Sequence, residues 1–155
     1  MILGMTPFTF FHVLISLIGI ASGFLVVFGM IAAKRLPELT GIFLLTTVLT
    51  SVTGFFFPYT GFKPSYGFGI ISLIVLAIAI PALYSKHLAG GWRSAYVITS
   101  VIAQYLNVFV LIFQLFEKVP SLHALAPTGF KITQLTNLIL WIILGAVANK
   151  KFKAA

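Results

Sequence analysis

Three histidines and two glutamates carry most of the acid-base and metal-binding potential of this chain, which contains neither aspartate nor cysteine. His12 and His123, with Glu117 nearby, have ligand types that suit Zn, Cu or Fe, or the two axial positions of a haem. No His-x-x-His, His-x-x-x-His or Glu-x-x-His spacing puts two such ligands on one helix. Ser16, Gly19 and Gly23 share a helical face with His12, and their small size would admit a flat porphyrin or a second helix against the backbone. Without aspartate there is no Asp-based triad or dyad and no HxxxxD acyl-transfer motif. Glu38 and Glu117 fall on opposite sides of the expected topology and cannot act as an acid/base pair. Ser121 lies beside His123, but adjacency in sequence does not aim an imidazole at a hydroxyl. The absence of cysteine removes disulfides, thiolate metal sites, cysteine nucleophiles and covalent c-type haem attachment. The chain therefore reads less as an enzyme than as a binding or packing protein.

A second group of residues capable of specific interaction is the set of amides. From Ala95 to Thr128 an apolar helix carries Gln104, Asn107 and Gln114 and ends in Glu117-Lys118-Val119-Pro120-Ser121-Leu122-His123. At 3.6 residues per turn Gln104, Asn107, Leu111 and Gln114 form one stripe. An unpaired amide in hydrocarbon costs several kcal/mol, so the stripe is expected to face protein. Gln134 and Asn137 stand near the start of the last helix and join the same depth. These groups, with His12 and Ser16, would line an outward-opening pocket for a quinone or another small amphiphile. The alternative use of the same amides and hydroxyls is as interhelical glue.

The elements that position these residues belong to a membrane protein. Of 155 residues 60% are hydrophobic and 8% are charged, and the mean hydropathy is +1.13, far above what a soluble domain of this size needs for its core. Ten Lys and Arg against two acids give a net charge of +8. In so apolar a chain this points to basic loops facing anionic lipid, with no nucleic-acid partner.

Five apolar segments, at about 8–33, 39–57, 66–83, 95–116 and 132–148, predict an all-α, single-domain polytopic bundle. The first lacks preceding Lys or Arg and runs on past Ala21-Ser22-Gly23, so it reads as a retained helix, not a signal peptide. Thr46, Thr50 and Thr53 on the second helix should bond back to their own backbone. The third is expected to face lipid and to kink or end near Pro81. Pro58–Pro64 supplies a turn with interfacial aromatics, and Trp92 and Tyr96 should anchor the next helix at an interface. One set of helix ends holds Lys34, Arg35, Lys86, Arg93, Lys150, Lys151 and Lys153, the other Lys63, Lys118 and Lys131. Seven against three puts the first set in the cytoplasm, with the N-terminus outside and the C-terminus inside. The connection from Glu117 to Thr128, stiffened by Pro120 and Pro127, is expected to fold over the outer mouth and bury Leu122, Ala124, Leu125 and Ala126.

The segments Ser51-Val52-Thr53-Gly54-Phe55-Phe56-Phe57-Pro58, Tyr84-Ser85-Lys86-His87-Leu88-Ala89-Gly90 and Asn107 to Thr128, ending Leu122-His123-Ala124-Leu125-Ala126-Pro127-Thr128, resemble those of small uncharacterised bacterial integral membrane proteins. The resemblance covers most of the chain and brings no activity with it. It implies a bacterial inner membrane, where the lipid bilayer is the first partner. Binding of a small ligand or redox cofactor (haem, metal or quinone) leads the functional readings. A non-catalytic accessory subunit of a membrane complex and a small transporter built as a homo-oligomer remain as alternatives.

Overall fold

The computed structural model describes residues 6–34, 36–56 and 64–152, with side chains from Tyr66 onward in the last stretch. The described residues form six helices: α1 Pro7–Ile31, α2 Pro37–Gly54, α3 Pro64–Tyr84, α4 Trp92–Lys118, α5 Pro120–His123 and α6 Thr128–Lys151. Four of them (α1, α3, α4 and α6) are long and apolar enough to cross a membrane. The turn at Pro58–Lys63, and Arg35, Lys63 and Lys153 of the charge count, lie outside the described residues.

Proline sets many of the helix starts. Pro7, Pro37, Pro64 and Pro120 each open a helix, where the missing N–H costs no intrahelical bond and φ is already helical. At α1 the Thr6 hydroxyl also accepts the Thr9 N–H at 3.2 Å, completing an N-cap. Glu38 stands in the first turn of α2, next to the positive end of that helix dipole. Pro81 does not end α3, which continues to Tyr84; helix neighbours can support an interior proline in a membrane bundle.

The helices close into a ring. α2 packs between α1 and α3, α3 between α2 and α4, and α6 between α4 and α1, while α1 and α4 also touch across the middle. α1 and α2 run antiparallel along their whole length. His12 meets Thr53, Gly19 faces Thr46 and Thr47, and Gly29 faces Leu36. α4 and α6 are likewise antiparallel, with Phe109 bonded to Gln134 and Arg93 to Asn149 and Phe152. The apolar core is densest toward the end that holds Met30, Phe43, Leu83, Leu88, Val97 and Phe152.

Several expectations change. α3 is built into the ring, burying Ser72, Val75, Leu76, Ala79 and Ala82, and is not a purely lipid-facing scaffold. Tyr96 is 2% exposed and packs on Phe152 at 5.8 Å between ring centroids, so it belongs to the core and not to an interfacial belt. Trp92, 41% exposed, keeps the surface position, with Lys86 Nζ 5.7 Å from its ring centroid. The connection after α4 forms the short helix α5 and packs on α4. Leu122 is half-buried, but Ala124, Leu125 and Ala126 are exposed. Pro120 favours a helical turn there, and the turn lifts the apolar residues off the bundle instead of folding them over it.

Candidate functional site

The polar residues singled out in the sequence meet along the α1/α2/α4 seam and the α4/α6 seam. Thr53 donates its single hydroxyl proton to the Leu49 carbonyl at 2.7 Å, so its oxygen accepts the His12 Nδ1–H, also at 2.7 Å. That bond ties the N-terminal part of α1 to the C-terminal end of α2. Ser16 donates to its own helix, at the Val13 carbonyl, 2.7 Å. Thr46 and Thr50 do the same toward Ile42 and Thr46, as threonines in membrane helices commonly do.

Gln104 is fully buried and donates from Nε2 to the Ile20 carbonyl of α1 at 2.9 Å. Its Oε1 rests against Gly23, where an added Cβ would come within 2.0 Å of it. The absent side chain of Gly23 is what lets this amide reach α1, and Oε1 itself is buried with no hydrogen-bond partner among the described residues. Asn107 donates from Nδ2 to Thr47 Oγ1 on α2 at 3.2 Å, and Gln134 of α6 donates to the Phe109 carbonyl of α4 at 3.1 Å. Gln104, Asn107 and Gln134 thus each cross to a different helix. The sequence reading grouped α1, α4 and α6 and missed α2, whose threonines serve as acceptors for neighbours while bonding to their own backbone.

The remaining candidates are dispersed. Asn137 is buried with no partner for Nδ2 among the described residues, and Gln134 Oε1 is in the same condition. Gln114 is half-buried and Glu117 exposed. His123 is exposed and donates from Nδ1 to the Phe116 carbonyl at 3.3 Å. The two histidines therefore bond to different elements, His12 to α2 and His123 to the end of α4. Among the described residues no group of three or more His, Asp or Glu side chains is positioned to hold a metal ion.

A concavity lies at the opposite end of the bundle, where the basic residues gather. It has a volume of about 210 Å³ and is walled by Val26, Met30 and Lys34 from α1 and the turn after it, and by Leu36, Pro37 and Thr40 at the start of α2. Leu83, Tyr84 and His87 from the end of α3, Tyr96 of α4 and Phe152 after α6 complete it. Among the described residues Lys34 and His87 are the basic groups in this wall, Thr40 and the tyrosines add hydroxyls, and no carboxylate lines it. Glu38, on the same end, is exposed and outside the wall.

The rim of this cavity is held in an unusual backbone. His87 and Leu88 have φ of 50° and 61°, a left-handed conformation that costs non-glycine residues about 1–2 kcal/mol each. Burial of Leu88, 1% exposed, and its N–H bond to the Ala82 carbonyl at 2.9 Å hold the turn in place. Across the same end Arg93 donates to the Asn149 and Phe152 carbonyls at 2.7 and 2.9 Å. The guanidinium thereby caps the C-terminus of α6, where a cation also complements the helix dipole. Sequence reasoning found the charge of this end by counting Lys and Arg, but it had no signal for the cavity, which five separated segments form together.

Comparison with protein-family models, curated proteins and solved structures finds no match to this chain.

Proposed function

We propose that the chain is a five-span protein of a bacterial inner membrane, with its N-terminus outside and its C-terminus in the cytoplasm, that binds the acidic head of a small amphiphile at its basic end. The observation that carries the binding reading is the cavity wall: Lys34 and His87 with hydroxyls around them, no carboxylate among the described residues, and an apolar floor of Val26, Met30, Leu83 and Phe152. A cation without a counter-charge at a membrane interface favours an anionic group, and a hydrogen bond to a charged partner contributes about 1.5–3 kcal/mol. At about 210 Å³ the cavity is smaller than the roughly 300–1,000 Å³ of drug-sized sites. It suits a head group or a short-chain acid.

Octanoate and 1-octanol share a tail and differ in charge. Titration calorimetry in detergent is expected to show octanoate binding at least about ten-fold tighter, a difference of about 1.4 kcal/mol. Lys34→Gln should remove most of that preference. His87→Gly should weaken octanoate while leaving stability within about 1 kcal/mol, since glycine relieves the left-handed strain at the cost of a more flexible unfolded chain. Equal affinities for acid and alcohol would overturn the reading.

The fifth span is α2. Its support is the antiparallel pairing with α1 from His12–Thr53 to Gly29–Leu36, which carries α2 through the depth that α1 crosses. Its 18 residues extend roughly 27 Å at 1.5 Å each, close to the hydrocarbon thickness. The orientation rests on Lys34, Lys86, Arg93, Lys150 and Lys151 sharing one end. Reporter fusions after Lys63 and after Lys118 are expected to read extracytoplasmic, and a cytoplasmic signal at either would refute the layout.

A second reading retains a ligand in the outer half, a quinone or a cofactor such as haem or a metal near His12, with His123 as the other candidate ligand. It is favoured by Gln134 Oε1 and Asn137 Nδ2, buried polar atoms that lack partners among the described residues and could be satisfied by a ligand's own donors and acceptors.

A further inference from the structure

α4 and α6 diverge on their outer side to leave a groove of about 290 Å³, separate from the basic-end cavity. Ile98, Tyr105, Leu138, Trp141, Gly145 and Asn149 are among its walls. At Gly145 the two helices approach closely, since a Cβ there would lie 3.1 Å from Val101 Cγ1. Its rims, Ile98 and Ile142, are 47% and 61% exposed, as expected of residues that face lipid. Between Leu138 and Asn149 the helical rise is roughly 16 Å. That length and the largely apolar lining suit a hydrocarbon chain.

What separates this groove from any lipid-facing furrow is its basic-side end. Arg93 sits there, its guanidinium 2.7 Å from the Asn149 carbonyl, and Lys150 and Lys151 follow, both exposed. The chain's two acidic side chains are elsewhere, Glu38 on α2 and Glu117 at the far end of α4, so among the described residues these cations have no acid beside them. Asn149 Oδ1 and Trp141 Nε1, both in groove-lining residues, are buried and make no hydrogen bond among the described residues. Phe24 holds the Trp141 ring at 5.4 Å between centroids.

We infer that this groove is a selective site for an anionic phospholipid of the leaflet on the basic side. One acyl chain lies between α4 and α6, and the phosphate rests against Arg93, Lys150 and Lys151. Charge complementarity at the mouth supplies the selectivity and the apolar groove supplies the seat. A hydroxylated head such as that of phosphatidylglycerol also brings a donor for Asn149 Oδ1.

The test uses Trp141 as the reporter. The Trp92→Phe protein has Trp141 as its one tryptophan, and it is reconstituted in vesicles of phosphatidylcholine containing a minor fraction of lipid with brominated chains, either phosphatidylglycerol or phosphatidylcholine. Brominated phosphatidylglycerol is expected to quench Trp141 with a relative binding constant at least about three-fold higher. The Lys150→Gln/Lys151→Gln variant should bring the ratio toward one. Ala146→Phe, at an exposed groove position, should reduce quenching by both lipids without disturbing the core. Equal quenching by the two lipids, or quenching unchanged by Ala146→Phe, would overturn the inference.

Discussion

Replacing Gly23 with alanine is expected to destabilise the bundle by about 1–3 kcal/mol, the range for overpacking a filled interior. The new methyl would meet Gln104 Oε1 at 2.0 Å and Phe43 Cε1 at 2.9 Å, so α1 and α4 must separate or Gln104 must leave its bond to the Ile20 carbonyl. Gly19→Ala, whose Cβ would have its closest contact at 3.1 Å with the Thr46 hydroxyl, should cost less. A double-mutant cycle identifies the cause. If Gln104 is the obstacle, Gly23→Ala costs at least about 1 kcal/mol less in a Gln104→Ala background than alone. Thermal unfolding in detergent measures all four proteins, and a wild-type melting temperature for Gly23→Ala would refute the packing described for this seam.

The second large effect is expected at Arg93. Its two bonds to the Asn149 and Phe152 carbonyls are charge-assisted, and losing them in Arg93→Leu should cost about 1.5–3 kcal/mol. The loss should be local, because the carbonyls left unsatisfied belong to the last turn of α6. Hydrogen exchange is expected to accelerate from Ala148 to Phe152 and to change little near His12 or Asn107. Lysine at this position keeps the charge but not the planar guanidinium, whose Nη1 donates to both carbonyls while Nη2 is held by Ser94 Oγ, so it should restore only part of the protection. Uniform acceleration along the chain would contradict a capping role.

The class of the fold was legible from composition, and the burial of Gln104, Gln134 and Asn137 from the high cost of an amide in lipid, while Asn107 is half-buried. Their partners were not legible. Thr53 reads in sequence as a self-bonded hydroxyl, and it is one, but its oxygen still has capacity for His12. Thr47 likewise takes up Asn107. Helix starts were placed one to four residues late at all five long helices because the prolines at Pro7, Pro37 and Pro64, the turn before Trp92 and the Pro127-Thr128-Gly129 break were treated as boundaries instead of as the beginning of the helix. The segment after Glu117 was misjudged on the rule that apolar residues seek cover, which loses force for a protein whose surroundings are themselves apolar. The basic-end cavity depends on how Thr40, Tyr84, His87, Tyr96 and Phe152 converge, and no local pattern encodes that convergence. Only its charge could be read in advance.

The proposed ligand site lies among the basic helix ends and not among the buried amides. Photo-crosslinking with a short fatty acid that carries a diazirine on its tail, followed by peptide mapping, discriminates between the two places. Crosslinks are predicted within 26–40 and 83–96, competed by octanoate and not by 1-octanol. Crosslinks concentrated around His12, Asn107 and Asn137 instead would contradict the claim and return the site to the outer half of the bundle.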